Sequence, residues 1–109
     1  MKYILPSDDE IRRQIVGTWI IADGADVWTL SPDGSFDEKW ASKSRALTFQ
    51  GTWQITAGFL DATITNRSSV GVTNVAPVGT SVRSRIDYLD ATYMTLEFED
   101  QTNKWERKP

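Results

Sequence analysis

Leu47-Thr48-Phe49-Gln50-Gly51-Thr52-Trp53-Gln54-Ile55-Thr56 carries the clearest pattern in the chain. Its odd positions are apolar or glycine and its even positions are threonine or glutamine. A period of two is that of a β-strand with one dry face and one wet face, so this segment needs apolar cover on one side only. The same period recurs on both sides of it. Upstream, Phe36, Glu38 and Trp40 share a side against Asp37, Lys39 and Lys43. Before them, Trp28 and Leu30 share a face of a run that ends at the turn signal Ser31-Pro32-Asp33-Gly34, and Trp19 with Ile21 share a face of a run that ends at Asp23-Gly24.

Downstream, Ala57-Gly58 turns into a fifth run over residues 59–68, in which Leu60, Ala62 and Ile64 alternate with Asp61, Thr63 and Thr65. Residues 69–80 are rich in Gly, Val, Ser and Thr, include Pro77 and Gly79, and read as a long connection with a short extra strand near Val70 to Val75. A sixth run sets Val82, Ser84, Ile86 and Tyr88 opposite Ser81, Arg83, Arg85 and Asp87. A seventh alternates Met94, Leu96 and Phe98 with Tyr93, Thr95, Glu97 and Glu99, and the last run holds Trp105 and Arg107. The single helical signal is early: Ser7 precedes Asp8, Asp9 and Glu10 at capping-box spacing, and Ile11 with Ile15 forms an apolar stripe.

These features predict a single all-β domain over residues 1–109, with a helix over residues 7–15 and barrel strands over residues 17–107. Eight strands that all present one apolar face remove their edges by closing, and short sequential turns favour an up-and-down antiparallel barrel over a two-sheet sandwich.

Composition narrows the chemistry. The 109 residues include no histidine and no cysteine, which excludes Ser-His-Asp and Cys-His catalysis, Cys or His zinc sites and disulfides. Twelve basic against 15 acidic residues, a net charge of −3, give no broad electrostatic footprint for nucleic acid or anionic lipid. No stretch approaches the ~20 apolar residues that span a bilayer, so no membrane span is expected. Two compartments stay open: the cytoplasm, or a periplasmic or envelope location if an export segment has been removed. An enzyme would need acids and bases drawn from Asp, Glu, Lys and Tyr, and no carboxylate pair is singled out by spacing. The expectation is no enzyme, no cofactor and no metal.

The inward faces predict the candidate site. Trp28, Trp40, Trp53, Tyr88 and Met94 either fill a core or line a pocket for a small apolar ligand. Glu38 falls among Phe36 and Trp40, where a carboxylate is costly unless it reaches water, pairs with a basic group or meets a polar part of a ligand. Asn66, Ser68 and Ser84 are polar at inward positions too, and with Glu38 they predict a polar barrel mouth near residues 69–80. Asn66-Arg67-Ser68 also matches a glycosylation sequon, a motif short enough to arise by chance.

Ile15-Val16-Gly17-Thr18-Trp19 after a short helix, then Pro32-Asp33-Gly34-Ser35-Phe36, Gly51-Thr52-Trp53-Gln54-Ile55, Met94-Thr95-Leu96-Glu97 and Trp105-Glu106-Arg107, in that order and spacing, resemble the small bacterial lipocalin-like domains. The resemblance runs from about Ile11 to Arg107. It implies a calycin-type barrel in which Trp19 closes the base and Arg107 packs over it, both as scaffold; a tryptophan face is a good seat for a guanidinium. It implies non-enzymatic binding of a small hydrophobic or amphipathic molecule. The alternative is a protein-interaction module, an inhibitor or immunity-type partner, whose barrel is filled. Relative to longer secreted lipocalins the chain is short and lacks disulfides and a C-terminal helix, which argues against a large cavity.

Overall fold

The structure, a computed structural model, describes residues 3–21 and 25–108; the Asp23-Gly24 turn lies outside them. Ser7 has extended backbone and its hydroxyl accepts from the Glu10 N–H at 3.3 Å, which starts α1 (Asp8–Gln14). Asp9 with Arg12, and Glu10 with Arg13, pair along its exposed side, while Ile11 and Ile15 are fully buried under the barrel. The strands follow as β1 (Gly17–Ile21), β2 (Asp26–Leu30), β3 (Ser35–Ser42), β4 (Arg45–Thr56), β5 (Phe59–Val70), β6 (Ser81–Leu89), β7 (Tyr93–Phe98) and β8 (Gln101–Arg107). Each is antiparallel to the next, and β1 pairs with β8, so the eight strands close into an up-and-down barrel.

Turn chemistry sets the register. Gly34 takes φ +88° and its N–H donates to the Ser31 carbonyl at 3.1 Å, while Asp33 Oδ1 accepts from both the N–H and the hydroxyl of Ser35. The Asp8 carboxylate accepts from the N–H groups of Ala57 and Gly58 at 2.8 and 3.0 Å, which ties α1 to the β4–β5 turn.

At the base, Trp19 is fully buried and its indole N–H donates to the Ile15 carbonyl at 2.9 Å. The Arg107 guanidinium lies 4.2 Å from the centre of the Trp19 ring. It donates to the carbonyls of Ala91, Val16 and Gln14 at 3.0, 2.9 and 2.5 Å. Gly17, at φ +144°, leaves it room: a Cβ there would stand 2.4 Å from Arg107 Nη1. The last strand, the first strand and the helix therefore meet at one side chain.

Four sequence expectations change. No strand forms in residues 71–75: β5 runs on to Val70, and residues 71–80 form an irregular connection with positive φ at Gly71, Asn74 and Gly79. The β4–β5 register shifts between Gln50 and Gly51, with Gln50 opposite Asn66 and Gly51 opposite Ile64. The extra residue reverses the alternation of β5, so Asn66 and Ser68 face outward and Arg67 takes the inward row. A second shift, between Ile86 and Tyr88, pairs Tyr88 with Thr95 and Leu89 with Met94. Leu89 is buried and Tyr88 is carried to the outer wall. Phe98, expected inward, is 40% exposed at the end of β7.

Candidate binding site at the barrel mouth

The end opposite α1 opens onto a cavity of about 140 Å³ lined by Trp28, Phe36, Glu38, Phe49, Ala62, Ile64, Ala76, Val82 and Ser84. Neighbouring strands build it from alternate residues. Trp28 on β2 stands opposite Glu38 on β3, Glu38 opposite Phe49 on β4, and Ala62 on β5 opposite Val82 on β6. Larger hollows on the outer wall, such as the one beside Tyr3, Gln14 and Arg107, are open grooves. The space at the mouth compares with cavities that hold a single benzene-sized molecule.

Its polar groups are few. Trp28 is 8% exposed, packed edge-on against Phe36 and tilted against Trp105, and its Nε1–H has no hydrogen-bond partner among the described residues. Ser84 is the buried polar side chain on the β6 side. Glu38 is partly buried, and its carboxyl is pushed up to about 9, by burial first and then by a hydrogen bond and charge repulsion from Asp26. Asp26 occupies the same inward row as Trp28 and pairs with Trp40 across the β2–β3 ladder. Glu38 thus meets another acid, where the sequence reading had offered water, a basic group or a ligand.

The connection after β5 closes one side. Arg67 Nη1 donates to the carbonyls of Val75 and Ala76 at 2.9 and 3.4 Å, and Ala76 packs against the core over the cavity. The Gly79 N–H donates to the Ile64 carbonyl at 2.7 Å, and the Ile64 N–H to the Thr80 carbonyl at 2.9 Å.

Of the residues read as a site, the cavity gathers Trp28, Glu38 and Ser84. Trp40 lies one step nearer the rim, with the Arg45 guanidinium 5.6 Å from its ring centre. Trp53 is buried toward the base, where its indole N–H donates to the Ser31 carbonyl at 3.0 Å. Met94 is fully buried opposite Trp105. Asn66 is at the mouth end, as Glu38 is, but on the other side of the wall, where its amide donates to Gln50 Oε1 at 3.2 Å. Tyr88 stacks on Tyr93 with ring centres 4.7 Å apart and donates its hydroxyl to Asp90 at 2.6 Å, a bond that pushes its phenol up to about 12. Asp26, Arg67 and Ala76 were missed; Asp26 stands two residues before Trp28, on the same row of an alternation begun one step too late.

No family model matches the chain, and no curated protein matches it. Among solved structures it is similar to a lipocalin-like protein from Bacteroides uniformis, with 16% sequence identity and a TM-score of 0.66, over 87% of this chain and 99% of that one. The strand order, the closure of β8 on β1 and that likeness agree that this chain has the lipocalin-like fold.

Proposed function

We propose that the protein binds a small hydrophobic or amphipathic molecule in the mouth cavity and performs no catalysis on it. The cavity itself carries this reading: about 140 Å³ walled by aromatic and aliphatic side chains, with Glu38 and Ser84 as its polar points. The size limits the ligand to about one ring or a short chain, so long fatty acids do not fit. A filled barrel, which the protein-interaction alternative requires, is at odds with that space, although Val70 and Val78 near the connection are 61% and 57% exposed.

Tryptophan emission tests the reading, because Trp28 forms part of the wall. Titration with single-ring hydrocarbons, alcohols and ketones is expected to change the emission saturably. Ala62→Leu, which fills the cavity from β5, is expected to abolish that change while far-ultraviolet circular dichroism stays the same. No response from any compound, or an equal response in Ala62→Leu, would rule the cavity out as a binding site.

A further inference from the structure

We propose that the cavity selects an uncharged ligand bearing a hydrogen-bond acceptor, which takes the indole N–H of Trp28, and rejects carboxylates of similar size because Asp26 and Glu38 stand at its mouth. This rests on the binding reading above and names the chemical class of its ligand. Trp19 and Trp53 both place their indole N–H groups on backbone carbonyls, at 2.9 and 3.0 Å. The Trp28 N–H is as deeply buried and has no partner among the described residues, although Glu38 stands directly across the strand pair. A buried donor left unmatched is costly, and an acceptor brought by a ligand removes that cost.

The second half follows from charge. Asp26 and Glu38 occupy adjacent inward rows of β2 and β3, and with the Glu38 proton held in its hydrogen bond to Asp26 the pair keeps one negative charge beside the cavity. An entering carboxylate would meet that charge in apolar surroundings. Among the described residues, the arginines toward the mouth are engaged, Arg67 on the carbonyls of Val75 and Ala76 and Arg45 over the face of Trp40, and Lys43 stands exposed in the β3–β4 turn. An ammonium would suit the acids but would set its donors against the indole donor, leaving the Trp28 N–H unmatched.

Four probes of one size separate these cases: cyclohexanone; methylenecyclohexane, which keeps the shape and loses the acceptor; cyclohexylammonium; and cyclobutanecarboxylate. Each is titrated into the 15N-labelled protein at pH 7 while the indole N–H signals are followed, Trp28 being identified by the signal missing from Trp28→Phe. Cyclohexanone is expected to move the Trp28 proton downfield and to bind about tenfold more tightly than methylenecyclohexane, the effect of one hydrogen bond in a dry site. The carboxylate is expected to bind at least about tenfold more weakly than the ketone. In Trp28→Phe the ketone should lose its advantage over the alkene; should that variant not fold, the wild-type series decides alone. Equal binding of ketone and alkene overturns the acceptor assignment and leaves cavity binding intact. Tighter binding of the ammonium or the carboxylate than of the ketone overturns the charge selection. Binding by none of the probes removes the site altogether.

Discussion

Glu38 shares an inward row with Phe36 and Trp40, and its proton is retained because ionisation would place a second charge beside Asp26 in poorly hydrated surroundings. Burial first, and Asp26 after it, pushes its carboxyl up to about 9 from an ordinary 4.5. Between those values the unfolded chain loses this proton and the folded chain keeps it, so the native state binds more protons. The Glu38 contribution to stability is therefore complete below about 4.5 and falls as pH rises toward about 9. Glu38→Gln, which stays neutral and keeps an amide donor, is expected to be more stable than wild type at pH 8 and to flatten the decline between pH 5 and pH 8. Urea unfolding midpoints at the two pH values check this, and a wild-type midpoint that is the same at both contradicts it. Asp90 works in a separate window: the Tyr88 hydroxyl first, then the N–H groups of Tyr93 and Thr92, hold its carboxyl well below the usual range, so its contribution is lost only as the solution becomes strongly acid. Glu38 was visible in the sequence as a charge on an apolar face. Asp26 was not, because an acid at the start of a short run looks like part of a turn.

Among the strands, alternation identified the inward face wherever apolar residues continued to mark it. It failed where they stopped or doubled. After Ile64, β5 reads Thr-Asn-Arg-Ser-Ser, with no apolar residue to reveal that an extra residue had reversed the phase. In β6 the run Ile86-Asp87-Tyr88-Leu89 offers two apolar residues side by side, and only the pairing with β7 chooses Leu89. Gly51 sits beside the first shift, and its role is close approach: a Cβ there would stand 1.8 Å from the Thr63 carbonyl oxygen and 2.7 Å from Phe36 Cε1. Gly51→Ala must push β5 away from β4 or displace Phe36 from the cavity wall. A loss of about 3 kcal/mol is expected in chemical denaturation, and a loss under about 1 kcal/mol would show that the ladder yields easily. The helix is held by a gentler device. Asp8→Ala removes the acceptor for the Ala57 and Gly58 N–H groups and should cost about 1–2 kcal/mol, measured in the same way, with the barrel's circular dichroism unchanged.

The barrel as a whole is uneven. The β4–β5 ribbon pairs from Ala46–Val70 to Thr56–Phe59, whereas among the described residues the closing seam of β1 on β8 pairs from Trp19–Arg107 to Ile21–Trp105, with the Lys108 N–H donating to the Thr18 carbonyl at 2.8 Å. The seam has a further tie at the base. Arg107 supplies it, donating to the carbonyls of Gln14 at the end of α1, Val16 before β1 and Ala91 before β7 while lying over Trp19. Arg107→Met keeps much of the apolar stem and leaves three carbonyls without their donor, so a loss of about 2–4 kcal/mol is expected in denaturant unfolding. Arg107→Lys should restore at most about half of it, because one ammonium cannot reach three acceptors set around a planar fork. Native-state hydrogen exchange locates the damage. In Arg107→Met the amides of Ile20, Ile21, Trp105 and Glu106 are expected to lose protection well before those of Thr52 to Ile55. The cavity lies at the other end, between β2–β3 and β5–β6. Opening of the seam should therefore weaken ligand binding by less than it weakens the fold. Equal loss of protection across all strands would mean that closure is carried by the ladder hydrogen bonds and the shared core, and that Arg107 serves the local packing of Trp19.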